Sequence, residues 1–246
     1  QNLNNVMVGC FLRDNSGTLW MGTSNGLYQY KDGHFSHWSH ENKLFKRYIY
    51  DLYEHLDGSI WAASADGVLR IDDNGAKTYS TKDGISHQQT RSIDGDRSGV
   101  YISTFGGGLN KYNGEEFELV FNDVLAIHDI LVDDGTIWIS SLEDGVIQYN
   151  IKSGQTNTIT KQDGLSNNHT RLTLKDSWGN LWFATSGGGV NKYFGQEFQH
   201  YSKADWLEED YVYDVLVASN GDIWTSFGKG LCLKTADTVI KYTQQN

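Results

Sequence analysis

The chain contains no proline at all, where average usage over 246 residues would give about 12. Turns must therefore be made by other means, and 27 glycines stand ready to make them. Cysteine is nearly absent too. Cys10 and Cys232 cannot build a disulfide framework or a four-ligand zinc site, and read as two separate buried thiols. No apolar run approaches the roughly 18 residues of a membrane helix, and no charged-then-apolar segment opens the chain. This reads as a soluble chain, cytosolic or trimmed of a targeting piece, with no membrane contact of its own. Basic residues are scarce: 20 Lys and Arg against 31 Asp and Glu leave a net charge of −11, which excludes nucleic acid as a partner. Aromatics are what the chain has in quantity, with 8 Trp, 14 Tyr and 10 Phe, and disorder is excluded by them.

The tryptophans are periodic. Gly-x-Leu/Ile-Trp ends at Trp20, Trp61, Trp138, Trp182 and Trp224, with Tyr101 in the remaining place. A second marker, Gly26, Gly67, Gly108, Gly145, Gly189 and Gly230, keeps the same beat. Six periods of about 41 residues fill the chain. Each holds four short alternating apolar runs bounded by Gly, Asn and Asp, the pattern of hairpins. Four strands per repeat of this length indicates a propeller. The expectation is an all-β, six-bladed β-propeller with four antiparallel strands per blade, one domain over residues 1–246. Blade six is expected to pack beside blade one.

A two-blade beat underlies the one-blade beat. Repeats one, three and five carry Asp-x-x-Gly between their first two strands (Asp14 to Gly17, Asp96 to Gly99, Asp176 to Gly179), which suits a type I turn. Repeats two, four and six carry Asp57-Gly58, Asp134-Gly135 and Asn220-Gly221, which suit a two-residue hairpin. The first strands alternate as well. Tyr50-Asp51, His128-Asp129 and Tyr213-Asp214 face Thr90-Arg91 and Thr170-Arg171, while repeat one has Gly9-Cys10.

The string Asp-x-x-Gly-x-Leu-Trp-x-x-Thr-x-x-Gly-Leu/Val, from Asp14 to Leu27 and from Asp176 to Val190, resembles the two-component regulator propeller repeat. Asp-Gly-Leu-Ser-Asn-Asn at 163–168 is similar to that family's inter-blade loop, with Ser86 and Ser166 where the family usually has proline. The resemblance implies the extracytoplasmic sensor region of a hybrid histidine kinase, hence a periplasmic or extracellular setting and a carbohydrate or small anionic ligand.

Two readings compete for the innermost polar residues. Arg91 and Arg171 could pair with Asp51, Asp129 and Asp214 as inter-blade struts. Alternatively they grip a carboxylate or sulfate, which their planar forks match. Tyr50, His128 and Tyr213 share that level and offer aromatic faces with polar tips. Trp206 lies outside the repeat positions and is expected to overhang the same rim, with Phe105 and Phe227 as weaker companions. The candidate ligand site is therefore Tyr50, Arg91, His128, Arg171, Trp206 and Tyr213. His34, His37 and His40 do not form a metal site, because a spacing of three on a strand points neighbours to opposite faces.

No catalytic constellation is legible, and no motif calls for a cofactor. A small-molecule or oligosaccharide binding propeller is the first reading, with room for a homodimer. A carbohydrate-active enzyme, sialidase-like or a lyase, is the alternative, and a protein-interaction scaffold the third. On any of these readings less than about a tenth of the residues should be helical. A far-ultraviolet circular dichroism spectrum free of helical minima is the check.

Overall fold

The computed structural model describes residues 6–38, 46–124 and 126–243. His40 lies outside the described residues. Among the described residues, twenty-four strands form six separate four-stranded antiparallel sheets, each in simple sequential order. This is the expected six-bladed all-β propeller, with single turns of 3₁₀ helix at Thr81–Asp83 and Lys161–Asp163. The chain divides into two compact units, Gln1–Ile127 and His128–Asn246. The first carries blades one to three, opening with strands Val8–Arg13, Ile49–Glu54 and Thr90–Asp96. The second carries blades four to six, opening with Ile127–Asp133, Thr170–Lys175 and Asp214–Val217.

Core forms between blades rather than inside them. A twisted sheet has two faces, and each apolar face must be covered by a neighbour. In the first unit, Trp20 and Leu27 of blade one pack on Ile49, Leu52 and Leu69 of blade two. Trp61, Val68 and Tyr79 of blade two then pack on Ile93, Val100 and Ile102 of blade three. The second unit repeats this. Trp138 and Val146 of blade four meet Leu181 and Phe183, and Trp182 and Val190 of blade five meet Val212 and Val215.

The tryptophans are fixed by the turn beside them. Asp176 Oδ2 accepts from the Trp182 indole N–H at 2.8 Å, while Oδ1 accepts from the Trp178 and Asn180 amides at 3.0 and 2.8 Å. Asp14 holds Trp20 the same way at 2.8 Å. Blade two inserts a relay, with Trp61 donating to Ser59 Oγ and Ser59 to Asp57.

The turns do not alternate as the sequence suggests. In blades one, two, five and six, the first turn residue accepts from the amide of a glycine three positions on. These pairs are Asp14–Gly17, His55–Gly58, Asp176–Gly179 and Ala218–Gly221. Asp57-Gly58 is thus the second half of the same four-residue turn, not a hairpin of its own. Blade four alone uses two residues of positive φ, Asp134 and Gly135. Blade three pairs Asp96 with Gly99 directly, leaving Arg97 and Ser98 as its loop.

Blades two and three, and blades four and five, are clasped by a buried hydroxyl. Thr90 Oγ1, at the start of blade three, accepts from the Ser64 amide of blade two at 2.8 Å. Its proton lies between the carbonyls of Ser64 and Gly67, at 3.1 and 2.9 Å. Thr170 repeats this against Ser141 and Gly145 at 2.9, 3.1 and 2.8 Å. Gly67 and Gly145 must be glycine: φ is +97° and +79°, and a Cβ would strike the carbonyl oxygens of Tyr79 and Ile159.

Burial alone would raise the Asp176 carboxyl, but hydrogen bonds from Trp182, Asn180 and Trp178 outweigh it and hold its pKa below the usual value. A lowered folded pKa gives stability that is present above the ordinary carboxylate range and lost as pH falls through the folded value. Asp176→Ala should cost about 2 kcal/mol at neutral pH, a cost that shrinks below about pH 4. Urea unfolding of both proteins across that range measures it.

Candidate functional site

In blades two to six a buried residue stands at or just before the start of the first strand, flanked by polar or aromatic residues except at Ala126. The buried residue is Ile49, Thr90, Ile127, Thr170 or Val212 in blades two to six. Strand alternation sends its two neighbours to the same side. The flanking pairs are Tyr48 and Tyr50, Gln89 and Arg91, Ala126 and His128, His169 and Arg171, and Tyr211 and Tyr213.

In the first unit, the Arg91 guanidinium lies 4.3 Å from the Tyr50 ring centroid and 5.1 Å from that of Phe105. Tyr50 is backed by Tyr48 at 4.7 Å, and Gln89 Nε2 donates to its hydroxyl at 3.3 Å. Arg91 Nε is buried with no acceptor. Arginine between two aromatic faces gains cation–π attraction while its fork stays open.

The second unit builds the same device. Arg171 lies 4.8 Å from the Tyr213 ring and 5.6 Å from the Tyr211 ring, and its Nη1 donates to the Tyr211 hydroxyl at 3.2 Å. In blade four the His128 ring lies 6.3 Å from that of His169. Trp206 is placed elsewhere. It packs with Leu207 against Trp182, Ala184 and Val190, its ring 5.7 Å from that of Tyr201, and does not overhang the strand starts. The reason is homology of position. Ser202 and Asp205 repeat the hydrogen bonds of Ser80 with Asp83 and Thr160 with Asp163, so Trp206 occupies the place of Gly84 and Gly164. It belongs to a third inter-blade loop.

The aspartates do not pair with the arginines. Among the described residues neither Arg91 nor Arg171 makes an ion pair. Asp51 Oδ2 instead accepts from Ser92 Oγ at 2.8 Å and the Ile93 amide at 2.9 Å. Asp129 Oδ2 accepts from the Thr173 amide at 2.7 Å. Each carboxylate thus ties an even blade to the next odd one through the backbone. Tyr211, Gln89 and His169 were missed in the sequence, although each sits two residues before a residue that was singled out. Among the described residues no three His, Cys, Asp or Glu gather to hold a metal ion, and His37 stacks on Tyr28 at 4.3 Å. Cys10 and Cys232 are both free thiols, and burial pushes both upward in pKa.

Residues 2–25 match the two-component regulator propeller family. No curated protein matches the chain. Among solved structures, the extracellular domain of a hybrid two-component system from B. thetaiotaomicron is similar at 19% identity and TM-score 0.66. The similarity covers 97% of this chain and 43% of that one. The chain thus spans less than half the length of that relative. Virginiamycin B lyase from Staphylococcus aureus is similar at 17% identity and TM-score 0.79, over 100% of this chain and 87% of the lyase. A structure of YCF48 bound to D1 peptide is similar at 11% identity and TM-score 0.70, over 96% of this chain and 81% of that one.

If the arginines are not struts, their loss and that of the aspartates should differ. Arg91→Ala should lower stability by no more than about 1 kcal/mol, the size of its ring contacts. Asp51→Ala should cost about 2–3 kcal/mol, because it strands the buried Ile93 amide. Chemical denaturation of the two variants distinguishes them.

Proposed function

We infer that this chain is a ligand-sensing propeller, of the kind found in the extracellular part of hybrid two-component systems. It takes a small anionic or acidic carbohydrate ligand at the first-strand openings. The observation that supports this is the pair of arginines held between aromatic rings with no carboxylate to neutralise them. In a chain of net charge −11, an arginine fork with no carboxylate on it is a local cationic point that matches an anion from outside. In the second unit Arg171 supplies the charged fork, Tyr211 and Tyr213 the stacking faces, and His128 and His169 further polar contacts. Arg91, Tyr50 and Phe105 form the equivalent platform in the first. The setting is extracytoplasmic, and the activity is binding without turnover. The likeness to a lyase is one of fold.

Titration calorimetry with a sulfated disaccharide and its unsulfated parent tests this. The sulfated form should bind at least about tenfold tighter, and Arg171→Ala should remove that preference while the circular dichroism spectrum is unchanged. Equal binding of the two sugars, or none, overturns the reading. Products released from the sugar on long incubation would favour an enzyme instead.

A further inference from the structure

Blade two shows how the repeat treats a cation on its third strand. Arg70 pairs with Trp61 across the strands, its guanidinium 5.5 Å from the indole ring, and is neutralised by Asp57 at 3.1 Å and Asp72 at 3.3 Å. Blade five carries the same cation as Lys192, paired with Trp182 and 5.4 Å from its ring. Both acids are gone. Counted from the turn glycine, Trp178 stands where Asp57 does; counted from the repeat glycine, Phe194 stands where Asp72 does. Lys192 Nζ lies 5.6 Å from the Phe194 ring and, among the described residues, makes no ion pair.

The turn does not require the indole. At the Trp178 position in other blades, Ser16 and Ser98 donate to the turn aspartate, while Asp57 and Asn220 accept an amide two residues on. Trp178 serves its turn through the backbone amide, donated to Asp176, and its side chain is 59% exposed. The tip of the indole lies beside Gly221 of blade six. Trp178, Trp182 and Lys192 line a crevice of about 260 Å³ whose other wall is Val217, Gly221 and Ile223. Both walls belong to the second unit. The crevice opens at the far end of blade five's first strand, about 16 Å of extended chain from Arg171.

The groups left free define what fits. Asp176 already accepts from the Trp178 and Asn180 amides, the Asn180 side chain and the Trp182 indole. Val217 and Ile223 offer no hydrogen bonds. Lys192 is thus one available charge among flat and apolar surfaces. A sugar would bring hydroxyls that this lining leaves unmet, at a cost in desolvation. An aromatic acid brings one charge and one flat face, and an ammonium, being a point charge, suits a single carboxylate.

We propose that this crevice is a second anion site, separate from the one at the strand starts, and that it takes a single-ring aromatic carboxylate. The carboxylate meets Lys192 Nζ, and the ring stacks on Trp178.

The test is a proton–nitrogen NMR titration with benzoate, benzamide and glucuronate. Benzoate should shift the Trp178 indole N–H resonance saturably and bind at least about fivefold tighter than benzamide. Lys192→Gln should erase that preference, and Trp178→Asp with Phe194→Asp, which recreates the acids of blade two, should abolish binding while the melting temperature holds. Arg171→Ala should leave benzoate binding unchanged. No saturable shift, equal binding of benzoate and benzamide, or a preference that survives Lys192→Gln overturns the proposal. So does glucuronate binding as tightly as benzoate, which would make the site one for sugar acids, or loss of the shift in Arg171→Ala, which would return the ligand to the strand starts.

Discussion

A threonine hydroxyl shared between two strands carries much of this architecture. Propeller blades have no backbone ladder from one sheet to the next, so flat apolar faces alone would let adjacent sheets slide. Thr90 and Thr170 prevent this by spending both donor and acceptor on the preceding blade, where burial removes water as a competitor. Asp51 and Asp129 add a second anchor a few residues along the same strands. With two anchors, the angle between blades is set by hydrogen-bond geometry as well as by side-chain volume. The interior then admits different aromatics, Trp with Tyr in blades two and five and Trp with Phe and Tyr between blades four and five, without loss of register.

The same anchors explain the arginines. Had the carboxylates faced the guanidinium groups, the polar level at the strand starts would be neutral and closed. Backbone amides have taken the carboxylates, and the arginines are left to the rings of Tyr50, Phe105, Tyr211 and Tyr213. Stabilising the scaffold and keeping charge available are met by one allocation of partners.

The sequence displayed the blades because their markers are side chains: Trp at 20, 61, 138, 182 and 224, and a glycine at the same phase in each repeat. It could not display what Asp51 or Asp129 bind, since an amide has no letter of its own, and so arginine was the only visible counterpart. The turn at Asp57-Gly58 misled for a related reason. The dipeptide suits two backbone solutions, and where the strands stop pairing decides between them, which lies outside the local sequence. Trp206 drew attention as an aromatic out of phase, while the Ser-x-x-Asp around it carried the phase. Tyr211 needed only the period of two, counted back from Tyr213.

Within each unit, the cores formed by the described residues join neighbours in the chain, blade to next blade, as in a stacked array. Local opening therefore has a cost set by two interfaces and not by the whole fold. A ligand that spans the openings of two adjacent blades, as Arg171 with Tyr211 and Tyr213 spans blades five and six, lies across one such interface. On the function proposed above, occupancy would suppress the parting of that pair of blades, and the signal would be a change in how often two sheets separate, with no need for either sheet to change shape.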